Sequence, residues 1–281
     1  MSYPSGGRGG PDYALCRYGN SRLSFRGPRK PCVGDFVACI GGTETYGRFL
    51  HDPWPDLLQR RTGVPCVNFG VQNAGIDAGL NDAAVLDICG GARLTVIEVL
   101  GAQNMSNRFY TVHPRRNDRF VRASTLLTAL YPDVDFTDHA FVRGMLTALH
   151  ARDPERFRLV VTELQTAWVA RMKLLLTQLR GPVFLLWCAD AAPPAAIDCA
   201  TAAVLEGDPL FVTAPMLEAL GARVAGRVTY VRSAAARAAG TEGMAFSDFD
   251  RVAAEAMLGA RAHDEIAEAL AAAVTGFLRV A

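Results

Sequence analysis

Three short segments of the chain combine closely spaced glycines with asparagine, threonine or glutamate. They are residues 41–47, 68–75 and 101–104. Each follows an apolar run typical of a buried strand, and neighbouring parallel strands bring their carboxyl ends to one edge of a sheet, where ligands bind. The three segments therefore predict one pocket. Its expected ligand-binding residues are Gly42, Glu44, Asn73, Gly75 and Asn104.

The first segment can be compared with the phosphate-binding loop of nucleotide hydrolases, G-x-x-x-x-G-K-[ST]. Aligned from Gly42, it keeps Gly47, but Arg48 replaces the lysine and Phe49 replaces the hydroxyl residue that binds Mg²⁺. We therefore do not expect a magnesium-dependent nucleotide hydrolase. A metal-free cradle for an anion stays open, because backbone N–H groups and a helix N-terminus attract anions unaided.

An arginine-rich stretch, residues 108–122, follows the third segment. It carries five positive charges against one negative, a net charge of +4. Guanidinium groups bind carboxylate, phosphate or sulfate through paired hydrogen bonds, so an anion site is one interpretation and a solvated helix face is the other. The candidate anion-binding residues are Arg108, Arg115 and Arg116. Phe109 and Tyr110 are candidates to stack against a sugar or a base.

The elements that position these residues alternate between strand and helix from residue 36 onward. Apolar runs predict strands over 36–40, 64–69, 94–100 and 183–188, with helices over 51–62 and 80–89 between the first three. Weaker candidates are strands over 210–213 and 228–231. Helices are predicted over 215–220 and from residue 262. Short strand–helix–strand connections predict an α/β fold, a three-layer parallel sheet with helices on both faces.

The alternation breaks between residues 104 and 180, where we predict helices over 119–131, 138–151 and 155–180. Because the strands resume at residue 183, this segment is interpreted as a helical insertion after the third strand of a single α/β domain, residues 36–281. Residues 1–35 carry arginines among glycines and prolines with little periodicity, and we predict that they form an irregular N-terminal arm.

The strand ends also resemble the SGNH (GDSL-type) hydrolases and acyltransferases, in which three strands end in G-D-S, N-x-G-x-x-G and G-x-N-D. The corresponding blocks here read Gly-Gly-Thr at 41–43, Asn-Phe-Gly-Val-Gln-Asn at 68–73 and Gly-Ala-Gln-Asn at 101–104. The run 259–270 is similar to the G-H-x-x-I-A-x-x-L helix that closes such domains. The resemblance covers about residues 36–104 and 255–275, and it implies a flavodoxin-like sheet and acyl or ester chemistry.

By this resemblance, Thr43 stands in place of the nucleophilic serine, and the Thr43 N–H, Gly75 and Asn104 would form the oxyanion hole. Threonine needs an adjacent base to act as a nucleophile. The acid–base pair of the family, D-x-x-H, falls on Ala254 and Met257, so its base and its orienting acid are both missing.

Two histidines are candidate substitutes for the missing base, which makes Thr43, His113 and His263 the predicted catalytic residues. His113 follows the third strand end and could reach the pocket from the insertion, whereas His263 could approach with Asp264 or Asp250 beside it. The competing interpretation of each histidine is a purely structural one.

The runs 41–47 and 101–120 look more closely like an uncharacterised bacterial family, the domain of unknown function number 6473. This resemblance extends over nearly the whole chain and implies no activity.

The composition argues against several classes of protein. A net charge of +1 over 281 residues gives no general surface for nucleic acid, and no apolar run is long enough to span a membrane. The N-terminus lacks the apolar core of a secretory signal. The seven scattered cysteines contain no C-x-x-C pair, so we expect reduced thiols, a cytoplasmic location, and neither metal nor cofactor.

The leading functional hypothesis is an esterase or acyltransferase with a degenerate triad that acts on a small anionic or glycan-like ligand. The alternatives are a catalytically silent binding module and a metal-free, sulfotransferase-like group transferase that uses residues 41–47. A histidine or carboxylate within about 3.5 Å of the Thr43 hydroxyl would favour catalysis. A polar pocket without such a base would favour binding alone.

Overall fold

A computed structural model describes residues 10–280 of the chain, so Arg8 and the rest of residues 1–9 of the predicted arm lie outside the described residues. The strands in this range are β1 (Val37–Gly41), β2 (Cys66–Gly70), β3 (Leu94–Glu98), β4 (Tyr110–His113), β5 (Arg116–Ala123), β6 (Val183–Ala189) and β7 (Gly226–Val231). The α-helices are α1 (Thr43–Tyr46), α2 (Trp54–Thr62), α3 (Ile76–Leu80), α4 (Ala83–Gly90), α5 (Thr125–Leu130), α6 (Val142–Arg152), α7 (Pro154–Gln178), α8 (Ala214–Glu218), α9 (Ala234–Ala239), α10 (Arg251–Glu255) and α11 (Ala260–Val280).

Five strands form a wholly parallel sheet in the order β2-β1-β3-β6-β7. Numbered without the β4–β5 hairpin, this order is 2-1-3-4-5, the arrangement of flavodoxin-like folds. The predicted fold class is therefore confirmed. In such sheets the strand order reverses between the first and third strands, and ligands bind beyond their carboxyl ends. Here that place lies beyond Gly41 of β1 and Glu98 of β3.

The sheet is covered on both faces, which explains why its strands are apolar runs and not alternating patterns. Val37 and Cys39 of β1 face a core that contains Ile266 of α11 and also residues of α2. Ala38 of β1 faces the larger core, which α3, α4, α6 and α7 complete. The long helix α7 buries the predicted stripe that includes Trp168, whose indole N–H also donates to the Leu100 carbonyl at 2.7 Å.

The prediction of an all-helical segment over 104–180 is wrong in its first part. Residues 110–123 form the antiparallel hairpin β4–β5, and helix begins only at Thr125, not at residue 119. Tyr110, Thr111 and Val112 are aromatic or β-branched and favour a strand, and Pro114 lies in the turn. The later helices α6 and α7 agree with the predicted ranges.

The predicted strand over 210–213 is also wrong. These residues form a turn that leads into α8, and Phe211 has a φ of +64°, a backbone conformation that a strand does not contain. The apolar run is explained by burial, because Leu210, Phe211 and Val212 are each at most 2% exposed. A short apolar run therefore signalled core packing here and not sheet pairing.

Candidate functional site

The three segments predicted to share a pocket meet at Asn73. The Asn73 backbone N–H donates to the Thr43 hydroxyl at 2.9 Å, and that hydroxyl lies 3.4 Å from the Asn73 side-chain oxygen. The side-chain amide of Asn104 lies 3.5 Å from the Asn73 carbonyl. Asn73 has a φ of +56°, a left-handed conformation that asparagine tolerates better than most residues. The structure thus brings Thr43, Asn73 and Asn104 together.

Gly75 allows the second and third segments to approach each other. A Cβ atom at Gly75 would lie 1.6 Å from the Asn104 carbonyl oxygen. The Gly75 N–H donates to the side chain of Asn117 at 2.9 Å, and Asn117 in turn donates to the His113 carbonyl at 3.0 Å. Because this N–H already has a protein acceptor, the structure does not present Gly75 as an open oxyanion donor.

Glu98 at the end of β3 holds the first segment in place. One of its carboxylate oxygens accepts the Gly42 N–H at 2.8 Å, the Thr45 N–H at 2.9 Å and the Thr45 hydroxyl. The pKa of Glu98 is raised to about 7, chiefly by burial and also by the negative charge of Glu44, although the three hydrogen bonds lower it. Our sequence reasoning did not select Glu98, although a glutamate inside the run L-T-V-I-E-V-L was a visible signal.

The stability of the chain should depend on pH through Glu98. Because its folded-state pKa lies above the ordinary value of 4.5, the folded state keeps this proton to a higher pH than the unfolded state. The contribution of this group to the free energy of unfolding should decrease by about 2 kcal/mol as pH rises from about 5 to about 7. Glu98→Gln keeps an acceptor oxygen and removes the titration. Urea unfolding of the variant should lack this part of the pH dependence; parallel curves for the two proteins would contradict the assignment.

His263 is engaged away from Thr43. Its ring is fully buried, and Nδ1 accepts the Trp54 N–H at 3.1 Å. Nε2 therefore carries the proton and donates to the Glu44 carboxylate at 3.2 Å, while the other oxygen of Glu44 accepts the Leu258 N–H at 3.3 Å. Both ring nitrogens of His263 are thus occupied by protein partners. This arrangement gives His263 and Glu44 a structural explanation, and their catalytic and ligand-binding roles stay predictions.

The other predicted site residues, which belong to the insertion, lie beside nearby protein groups. Nδ1 of His113 accepts the Arg115 N–H at 3.2 Å within the hairpin turn. Arg108 donates to the carboxylate of Glu163 on α7, through Nε at 2.7 Å and through a guanidinium nitrogen. Arg115 is exposed in the turn, and Arg116 is half-buried at the start of β5. In the part of the chain that the structure describes, no hydrogen bond joins Thr43 to His113, Arg108 or Arg115.

An open cavity of about 330 Å³ lies where the second and third segments meet, and no residue of the first segment, 41–47, lines it. Its lining residues are Asn73, Gln103, Asn104, Asp118, Phe141, Arg143 and Asp208. Sequence reasoning found Asn73 and Asn104 and missed the others. Asp118 belongs to the arginine-rich stretch 108–122, and the sequence reasoning used it only to calculate the net charge of that stretch. Arg143 and Asp208 are far from the three segments in sequence, and no local pattern marks them.

The cavity does not have the charge of an anion site. Its single guanidinium, that of Arg143, bonds to the Asp208 carboxylate at 3.0 Å and to the Leu205 carbonyl at 2.6 Å. One oxygen of Asp118 lies 3.4 Å from the Asn73 side-chain amide. The other oxygen of Asp118 is buried and has no hydrogen-bond donor within residues 10–280. Two carboxylates and one paired arginine favour a ligand that donates hydrogen bonds.

The fold and the site define a flavodoxin-like α/β protein with a polar cavity lined by residues that follow β2 and β3 of its sheet. The domain of unknown function DUF6473 matches residues 1–278, and the chain belongs to that family. A solved structure similar to the chain is the lipase Lip_vut3 from a goat rumen metagenome. It is 11% identical, with a TM-score of 0.42 over 85% of this chain and 96% of the lipase. Among curated proteins, no match was found.

Two further searches of residues 10–280 bear on cofactors and membranes. No group of three or more His, Cys, Asp or Glu side chains in that range is placed to hold a metal ion. None of its helices combines the length and the apolar character needed to cross a membrane. All seven cysteines lie in the described range as free thiols, and five of them are buried. The cytoplasmic location stays a prediction.

Proposed function

We propose that the chain binds a neutral, polyhydroxylated, glycan-like ligand in this cavity. The observation that carries the proposal is the Asp118 carboxylate, which lines the cavity with one oxygen 3.4 Å from the Asn73 side-chain amide and the other without a hydrogen-bond donor among the described residues. A carboxylate with so few donors costs free energy, on the order of 1–3 kcal/mol, and a ligand hydroxyl that donates to Asp118 would offset that cost. Asp118 is therefore the residue whose hydrogen bond to the ligand matters most.

The kinds of side chain in the cavity support a neutral ligand over an anionic one. Amide groups both donate and accept hydrogen bonds, and carboxylates only accept them, which is the combination that a row of hydroxyl groups satisfies. An anion would meet two carboxylates, Asp118 and Asp208, and a guanidinium that already has a carboxylate partner. Of the two predicted kinds of ligand, anionic and glycan-like, the proposal therefore keeps only the glycan-like one.

The surroundings of Thr43 support binding without nucleophilic catalysis. Its hydroxyl is bonded to the N–H and the side-chain oxygen of Asn73, and neither group takes up a proton near neutral pH. A threonine without a base is a weak nucleophile. In the proposal, Thr43 fixes the left-handed turn at Asn73. The esterase or acyltransferase and the sulfotransferase-like hypotheses stay predictions.

One paired experiment tests the proposal. Sorbitol, methyl pyranosides, phosphate and sulfate are added to the wild type, Asp118→Asn, Thr43→Ser and Thr43→Val, and thermal unfolding and p-nitrophenyl acetate hydrolysis are measured. We expect the neutral compounds to raise the unfolding midpoint, as RT ln(1 + [L]/Kd) requires, and Asp118→Asn to weaken this effect at least tenfold in apparent Kd.

The Thr43→Ser variant separates binding from catalysis. Serine keeps the hydrogen bonds of the hydroxyl and removes the methyl group that crowds attack, so a hydrolase should become faster and a binding protein should not change. Stabilisation by phosphate or sulfate alone would contradict the proposal. So would ester hydrolysis that rises in Thr43→Ser and disappears in Thr43→Val.

A further inference from the structure

Phe141 supplies an aromatic wall to a cavity that is otherwise lined by polar side chains. Phe141 is 46% exposed, so part of this large apolar side chain is in contact with water. Removal of apolar surface from water is favourable, so a ligand with an apolar surface would be stabilised by packing against this ring. The proposed function does not use this ring.

The backbone at Phe141 is anchored on two sides. Residue 141 precedes α6, and its carbonyl accepts the Met145 N–H at 3.1 Å. It also forms an antiparallel bridge with Arg119 of β5, and the neighbouring Ala140 carbonyl accepts the Phe120 N–H at 3.2 Å. A ring attached to so restrained a backbone is placed before the ligand arrives, which reduces the entropy lost on binding.

The guanidinium of Arg119 lies over the Phe141 ring. The centre of this guanidinium lies 5.2 Å from the centroid of the Phe141 ring, a cation–π arrangement. Phe141 keeps 46% of its residue surface exposed beside this guanidinium, and it lines the cavity. The Asp118 carboxylate lines the same cavity.

We infer that the ligand is a pyranose sugar that stacks its C–H face on Phe141 while a hydroxyl group donates to Asp118. This inference rests on the proposed function and narrows it. A pyranose joins a flat apolar face to a rim of hydroxyl donors, and the cavity offers an aromatic face beside carboxylate and amide groups. A linear polyol has the hydroxyl groups without the flat face. A cavity of about 330 Å³ is at the small end of ligand sites, which suits one or two sugar rings.

The test compares two phenylalanine-to-leucine substitutions. Phe141→Leu removes the aromatic face in the cavity, and Phe249→Leu makes the same change at a fully exposed ring that does not line the cavity. The probes are sorbitol, adenosine, and the methyl β-pyranosides of glucose, galactose and N-acetylglucosamine, and affinities are measured by NMR titration. We expect Phe141→Leu to weaken the tightest pyranoside at least tenfold, with Phe249→Leu and Phe141→Tyr within threefold of the wild type.

The outcomes separate this inference from the proposed function. Saturation transfer from aromatic protons to the ring protons of the sugar in the wild type, lost in Phe141→Leu, supports stacking. If Phe141→Leu binds pyranosides and sorbitol as the wild type does while Asp118→Asn binds neither, stacking is overturned and the proposed function stands. Binding of adenosine and of no pyranoside also overturns the inference. A wild type that binds none of the neutral probes overturns both.

Discussion

Replacing Arg26 with methionine should lower the free energy of unfolding by about 3–5 kcal/mol. Arg26 is 5% exposed, although it belongs to the segment that the sequence predicts to be an irregular arm. Its guanidinium donates to the carbonyls of Tyr46, Gly47, Leu50 and His51. Methionine fills much of the space but donates no hydrogen bond, so several buried carbonyls would lose their partner at once.

Urea unfolding monitored by circular dichroism measures this loss. Arg22→Met is the matched control, because Arg22 is exposed in the same segment, and we expect its effect to stay within about 0.5 kcal/mol. The loss in free energy of unfolding for Arg26→Lys should lie between the losses for Arg22→Met and Arg26→Met, since a single ammonium cannot reach all four carbonyls in the geometry of a guanidinium. A loss below about 1 kcal/mol for Arg26→Met would show that water replaces the guanidinium easily.

The parallel sheet was the most predictable part of the fold. Strands that are buried on both faces must be apolar throughout, so β1, β2, β3 and β6 could be identified from short apolar runs alone. The hairpin was not found, because β5 reads R-N-D-R-F-V-R-A and its arginines were interpreted as a solvated helix face or an anion site. A polar strand at the surface gives a weak local signal, and its pairing with β4 is a tertiary property.

The site was predictable only where its residues follow strands. Asn73 and Asn104 lie three and six residues after the ends of β2 and β3, and parallel topology brings such segments to one edge of the sheet. Phe141, Arg143 and Asp208 enter the cavity from a helix start and a loop that only the packing of α6 brings there. The contacts of a candidate base likewise needed coordinates, because the partners of both His263 ring nitrogens, Trp54 and Glu44, lie 209 and 219 positions away along the chain.

Gly75→Ala should destabilise the chain by at least about 3 kcal/mol and abolish binding in the cavity. The backbone at Gly75 has a φ of −109°, which alanine adopts freely, so the effect comes from contact and not from backbone strain. The added methyl carbon would lie 1.6 Å from the Asn104 carbonyl oxygen and 2.5 Å from its carbon. Either α3 or the segment that carries Asn104 must move, and the contact between Asn104 and Asn73 would be lost with it.

Gly144→Ala makes the same chemical change as Gly75→Ala and should have the opposite effect on stability. Gly144 lies in α6, and a Cβ there would have no atom within 4 Å, so alanine should raise stability by up to about 1 kcal/mol through its higher helix propensity. Chemical denaturation of both variants measures whether each raises or lowers the free energy of unfolding, and NMR titration with methyl pyranosides measures the effect on binding in the cavity. Gly144→Ala should bind as the wild type does. A Gly75→Ala protein that unfolds at the wild-type urea concentration would show that the second and third segments are not in contact, and the cavity could then not be built from Asn73 and Asn104.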